Sequence, residues 1–380
     1  MKRLGNIIEF MRKNSYFIFV YVPLLTMILL LTMLLLYYPQ AATIGVSKGI
    51  DICLESLIPS LFPFLFVSTV MMNYGIFDKF SAKVGKLSKL IFDLPGDALP
   101  IIIMSVIGGF PIGAVLIKEA FEQGKISAQE GKRMLLFCVN PGPAFTISFI
   151  GCSLIGNSKA GLTVYVSTVL SSLTIGIISR FFSDEDDLRI FVSEKTVNSK
   201  AVDVLNNSIS SCINNTLNIC TWVIIFSCIG ALIDVLPVTT LTSDFIKMIS
   251  EVTNGAMVSV ERFSLPVLCA VIGFSGFCIH FQIMPSLISL KLRYKYFLCS
   301  RIISSGLSCI ICYILLQVFP EYIQTVSLGT KPEKIIFPAS VPLCIFLMLL
   351  CSLFIIGDSY VVIRNSKNIN DNKVNKPYLY

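Results

Sequence analysis

The chain contains a single histidine, His280, which lies in an apolar run just after Gly273-Phe274-Ser275-Gly276, with Gln282 two residues on. Ionisable side chains are rare in membrane spans and tend to mark substrate or proton pathways. An imidazole at an interrupted segment could therefore hold an anion or relay a proton; the alternative is a core histidine that hydrogen-bonds the neighbouring break. Two further interruptions lie upstream, Gly108-Gly109-Phe110-Pro111-Ile112-Gly113 inside the apolar run from Leu99 to Ile117, and Asn140-Pro141-Gly142-Pro143. Proline removes a backbone donor and glycine raises the entropic cost of a helix. Broken backbone at membrane depth persists only where protein or a water-filled cavity satisfies it. Three such segments predict one buried polar site, the arrangement of a transport site.

Other polar residues could line a path to that site. Glu55 follows Asp51 by four positions and shares its helical face, and Asn214 and Asn218 have the same spacing. The asparagine stripe suits either a pathway lining or interhelical hydrogen bonding. Glu251 and Asn254, ahead of the third break, could complete the site, but the favoured reading is ordinary loop residues. No nucleotide-phosphate loop, His-Glu-x-x-His or nucleophile elbow is present, so the chain does not read as an enzyme. One histidine leaves no histidine-based metal site, and neither metal nor cofactor is expected. The 13 cysteines fall mostly within apolar runs and read as small hydrophobes, Cys309 and Cys312 included.

The elements that must position these residues are membrane helices. The 380 residues are 54% hydrophobic and 14% charged, with a mean hydropathy of +0.79, which excludes an ordinary soluble domain. The net charge of +7 is spread over short loops between apolar runs, the pattern that orients a membrane protein and not that of a nucleic-acid-binding face. Lys2, Arg3, Arg12 and Lys13 precede a first transmembrane helix over Tyr16–Tyr38. Pro59 and Pro63 kink the run from Leu57 to Met72. Lys79, Lys83, Lys86 and Lys89 beside Phe80, Leu87 and Leu90 predict an amphipathic helix on an anionic membrane surface. Ser127 and Glu130 have capping-box spacing and predict a helix start. Lys291, Arg293, Lys295 and Arg301 read as a cytoplasmic loop, followed by spans over Phe297–Phe319 and Ile335–Ile363.

A polar linker over 183–200 divides the chain. A shift of 159 positions sets Cys53-Leu54-Glu55 against Cys212-Ile213-Asn214, and a larger shift sets Gly109-Phe110-Pro111-Ile112 against Gly276-Phe277-Cys278-Ile279. This predicts two repeats, 41–182 and 201–363, after an N-terminal helix over 1–40 and before a disordered tail over 364–380. The expected fold is all-α and polytopic, with about 8–10 transmembrane or re-entrant helices.

In order along the chain, the segments Leu57-Ile58-Pro59-Ser60-Leu61-Phe62-Pro63-Phe64, Gly109-Phe110-Pro111-Ile112-Gly113-Ala114, Gly124-Lys125-Ile126-Ser127, Phe137-Cys138-Val139-Asn140-Pro141-Gly142-Pro143 and Gly276-Phe277-Cys278-Ile279-His280-Phe281-Gln282 resemble the YlbJ-type sporulation integral membrane proteins of endospore-forming bacteria, which carry a nucleoside-recognition or gate domain. The resemblance implies two gate-type repeats whose broken helices meet at mid-membrane, similar to concentrative nucleoside transporters. It also implies movement of dipicolinic acid across the outer forespore membrane. Its motif positions are Gly109, Pro111, Gly113, Asn140, Gly142, Pro143, His280 and Gln282. With Ser275 and Gly276 of the same break these form the expected substrate-binding set, and Glu55, Asn214 and Asn218 the expected pathway lining. The expected partners are an aromatic dicarboxylate or a nucleoside and the lipid bilayer, with a homo-oligomer left open. The rival readings are a non-transporting scaffold for spore-envelope assembly and a nucleoside transporter.

Overall fold

The computed structural model describes residues 22–182, 201–237 and 239–319. The expected linker over 183–200, the span over Ile335–Ile363, the tail and the first half of the N-terminal helix lie outside the described residues. Within them the fold is helical, and no strand occurs. The elements of the first half are α1 (Val22–Tyr37), α2 (Pro39–Ile52), a π-turn (Cys53–Leu57), α3 (Ile58–Asn73), α4 (Ile76–Phe92), α5 (Ala98–Gly108), α6 (Ile112–Glu122), α7 (Ala128–Leu135), a π-helical segment (Ala144–Ile155) and α8 (Ser158–Ser179). The second half contributes α9 (Ala201–Asp234), α10 (Thr240–Ser250), α11 (Val252–Arg262), α12 (Leu265–Phe274), α13 (Gly276–Gln282), α14 (Met284–Ser289) and α15 (Tyr294–Val318). Each half runs from a long apolar helix through short amphipathic helices to an interrupted apolar pair, α5–α6 in the first and α12–α13 in the second.

Among the described residues, α8, most of α9, the α12–α13 pair and α15 are long and apolar enough to cross a membrane, and two bent pairs raise the number from four to six. The bends are 103° between α1 and α2 and 76° between α3 and α4. The expected N-terminal helix therefore turns sharply at Tyr38, where Pro39 opens α2 with its fixed φ. The Ser127 cap forms as expected: its hydroxyl accepts from the Glu130 amide at 3.2 Å while Glu130 accepts from the Ser127 amide at 2.7 Å. The helix of lysines also forms as α4, and it buries Phe77, Ser81, Gly85, Ser88 and Phe92 while Phe80, Leu87 and Leu90 stay exposed beside the lysines.

The spans pack through small residues. On α15 the buried positions are Phe297, Ser300, Arg301, Ser304, Ser308 and Cys312, all on one face, and the exposed ones include Ile302, Ile303, Ile310 and Ile314. The α8 face that meets it carries Ser171, whose hydroxyl donates to the Ser304 carbonyl at 3.0 Å, while Gly161 of α8 lies against the π segment and Gly176 against Phe92 and Phe137. Small residues let helix backbones approach where lipid offers no hydrophobic contrast. The same device seats α2 on α9, where a Cβ at Gly45 would stand 2.7 Å from Cys228 Cα.

Arg301 corrects the sequence expectation. It lies within a span and not in a loop, 1% exposed, and its guanidinium donates to the Val139 carbonyl at 2.7 Å and to that of Leu136. A planar fork of donors can satisfy two carbonyls at once. Arg301 thus ties α15 to the chain between α7 and the Asn140–Pro143 break.

Candidate functional site

The three predicted breaks come together. Gly109 has φ +82°, and a Cβ there would stand 2.5 Å from the Gly142 amide nitrogen and 2.7 Å from Gly142 Cα. The first and second breaks therefore touch backbone to backbone, and only glycine permits it at this φ. Gly113, the second residue of α6, lies against the Cys138 carbonyl and the Ser105 side chain and fixes the same junction from its other end. The third break has Ser275 at φ 75° and Gly276 at φ 65°. A Cβ on Gly276 would meet the Val252 amide nitrogen at 3.0 Å, so this break rests on the junction of α10 and α11.

That junction is a fourth interruption, at Glu251. The carboxylate caps α11, accepting the Thr253 amide at 2.8 Å and the Asn254 amide at 2.7 Å, and the residue is 2% exposed. The sequence reading placed it in a loop, because a carboxylate between two short amphipathic helices carries no periodic signal of burial. Lys48 of α2 reaches the same cap and donates to Asn254 Oδ1 at 3.1 Å.

A cavity of about 170 Å³ opens where these interruptions meet. From the first break it is lined by Gly108, Gly109 and Phe110, from the second by Gly142, Pro143 and Ala144, and from the α10–α11 junction by Glu251, Val252 and Thr253. Ile279 and Gln282 of α13 close one wall, and Leu61 and Phe64 of α3 with Ile219 and Val223 of α9 supply apolar surface. Gln282 donates to Cys278 Sγ at 3.3 Å, and its side-chain oxygen is buried without a partner among the described residues. The helical N-terminal ends of α6 and of the π segment begin beside Gly109–Phe110 and at Pro143–Ala144, and neither has a side-chain cap. Free amide donors at helix N-termini favour an anion.

Of the residues expected at the site, Gly109, Gly142, Pro143 and Gln282 line the cavity, while Pro111, Gly113, Asn140, Ser275, Gly276 and His280 do not. Pro111 lies on the far side of a cis Phe110–Pro111 peptide. Asn140 is 2% exposed, donates to the Phe137 carbonyl at 3.0 Å and has a buried side-chain oxygen with no partner among the described residues. His280 is fully buried: Nδ1 pairs with the Tyr294 hydroxyl at 2.9 Å and Nε2 with the Phe274 carbonyl at 3.0 Å, inside a cage of Phe274, Phe277 and Phe297. On the helical α13, His280 and Gln282 diverge by two helical positions, so only Gln282 meets the cavity. Glu55 and Asn214 are exposed, and Asn218 donates to the Gln282 carbonyl at 3.2 Å, steadying the cavity wall without lining it.

Cys309 and Cys312, read as hydrophobes, remain free thiols on α15. Among the described residues no group of histidine, cysteine or acidic side chains is arranged to hold a metal ion.

No family model matches the chain, and no solved structure matches it. Among curated proteins, the sporulation integral membrane protein YlbJ of Bacillus subtilis (strain 168) is 23% identical over 317 residues, which cover 72% of this chain and 78% of the relative. That coverage bears out the resemblance carried by the ordered motifs. The chain is an integral, multi-pass membrane protein of all-α fold, similar over most of its length to a YlbJ-type sporulation integral membrane protein.

Proposed function

We propose that the chain moves a small aromatic dicarboxylate of the dipicolinate type across a membrane during spore formation, and that the cavity among the four interruptions is its binding site. The observation that carries this reading is the cavity itself: two interrupted segments of distant sequence, the capped junction at Glu251 and the helix that follows the third break enclose about 170 Å³. An apolar protein cavity of about 150 Å³ takes one benzene ring. One planar ring with small substituents fits that scale, whereas a nucleoside adds a sugar to its base. The uncapped N-terminus of the π segment, which lines the cavity at Pro143 and Ala144, offers amide donors to carboxylates. Phe64, Phe110 and Phe145 supply ring surface, and the Gln282 side chain offers a polar contact. The relative's name, a sporulation integral membrane protein, supports a role at the forespore, and the outer forespore membrane is the location proposed.

Uptake of labelled pyridine-2,6-dicarboxylate into liposomes containing the purified protein tests the reading. Saturable uptake, blocked by unlabelled dicarboxylate and not by uridine, is expected. Protein that is folded and yet moves no dicarboxylate would leave the scaffold as the better account, and competition by uridine alone would point to a nucleoside.

A further inference from the structure

Glu251 is the one ionisable side chain lining the cavity among the described residues, and no cationic side chain lines it with it. This conflicts with a site for an anion unless the carboxylate changes state. Beyond the two backbone amides of its cap, the elements around Glu251 bring no cation into direct contact with it. From α2, Lys48 acts on it through Asn254. The π-turn contributes Cys53, whose thiol donates to the Cys220 carbonyl, and α13 contributes Cys278, whose sulfur accepts from Gln282. Lys247 on α10 is engaged by Asp234 and Arg262 on α11 by Asp244. The stretches of α3, α5, α9 and the π segment that line the cavity carry no titratable side chain.

Two helical N-terminal ends line it, those of the π segment at Pro143–Ala144 and of α11 at Val252–Thr253, each equivalent to roughly half a positive charge. Together they offer about +1, which an ionised Glu251 cancels. A dicarboxylate brings two negative charges, so the site matches it far better when Glu251 is protonated. We propose that Glu251 is a proton-carrying group of this cavity, taking up one proton as the dicarboxylate binds, so that the anion and the proton cross together. The inference rests on the anion reading given above. The proton comes from water on the loading side and forms an O–H bond at a carboxylate oxygen of Glu251. That oxygen releases its backbone amide and can donate to a carboxylate of the ligand; on the far side the proton returns to water as the anion leaves. No electron is transferred.

The test is titration calorimetry of pyridine-2,6-dicarboxylate into detergent-purified full-length protein, in two buffers of different ionisation enthalpy, between about pH 6 and 8. Uptake of one proton per ligand is expected, with affinity falling about tenfold for each pH unit above the pKa of Glu251 in the free protein. Glu251→Gln should bind with little pH dependence and no proton uptake, and should transport without acidifying the liposome lumen. Wild-type binding without proton uptake overturns the inference and leaves the dicarboxylate reading standing. The same holds if a folded Glu251→Gln keeps the wild-type pH profile. Absence of binding at every pH removes both. The wild-type proton count does not depend on whether the variant folds.

Discussion

Gly109, His280 and Gln282 show what a residue type can and cannot say about its role. At Gly109 the constraint is geometric: φ is +82° and the Gly142 amide would be 2.5 Å from an added Cβ. Gly109→Ala is therefore expected to separate the first two breaks, and size-exclusion chromatography of solubilised protein should show loss of the folded peak. Its motif position was legible in the sequence because a glycine in an apolar run has few other reasons to be there. His280 was legible only as unusual. Its two ring nitrogens are both paired and three phenylalanine rings surround it, so His280→Phe leaves the Tyr294 hydroxyl and the Phe274 carbonyl short of a partner. Each buried orphan costs about 1–3 kcal/mol, and a lower melting temperature is expected. A variant that melts like wild type yet loses ligand would return the imidazole to the transport path. Gln282 differs because its side chain lines the cavity with a spare oxygen. Gln282→Leu should weaken dicarboxylate binding several-fold by calorimetry, with little change in melting temperature.

Among the elements, α15 does more than cross the membrane. Its Arg301 reaches the carbonyls of Leu136 and Val139, just before the Asn140–Pro143 break, so one span holds the geometry of a segment 160 residues away. Hydrogen bonds from a charged group contribute about 1.5–3 kcal/mol each. Arg301→Lys replaces a two-pronged fork with a single ammonium; thermal unfolding should register the lost carbonyl, and ligand affinity should fall with it because the second break lines the cavity. The basic residues nearby in sequence made Arg301 look like a loop residue, and only the helical register of α15, with Ser300, Ser304 and Ser308 on the same face, puts it inside. The breaks themselves were legible because glycine and proline act on the backbone locally. The Glu251 interruption was not, since a carboxylate that caps a helix is made by side-chain chemistry that many loops share. Where the chemistry is local and reciprocal, as in the Ser127–Glu130 box, the sequence suffices, and Ser127→Ala should cost about 1 kcal/mol in thermal unfolding.

At the scale of the whole molecule, large apolar side chains stand outward on the spans as well as filling the core. The buried seam between α8 and α15 joins serines, Ser171 to Ser304, while Ile302, Ile303, Ile310 and Ile314 stand outward on α15 and Leu162, Leu170, Ile177 and Ile178 on α8. Composition made the membrane class plain, but not which face of each span meets protein, because both faces read as apolar. The small polar residues resolve it: a serine in contact with lipid would leave its hydroxyl reliant on its own helix, whereas between helices it closes hydrogen bonds such as Ser171 to Ser304. The two faces of α15 should therefore fail in different ways. Ile310 is 56% exposed, and placing a carboxylate there, as in Ile310→Asp, costs about 2.5–3.5 kcal/mol at mid-membrane. The expected outcome is reduced membrane insertion, read by protease protection or carbonate extraction, with residual inserted protein still packed. Ser308→Leu adds apolar surface and should insert as well as wild type. Its side chain, however, must enter the space where a Cβ at Gly273 would already stand 2.8 Å from the Ser308 hydroxyl, so inserted protein should melt at a lower temperature and lose dicarboxylate binding as α12 and α13 are pushed from the cavity. If Ile310→Asp inserted normally while Ser308→Leu failed to insert, the assignment of lipid and protein faces on α15 would be reversed.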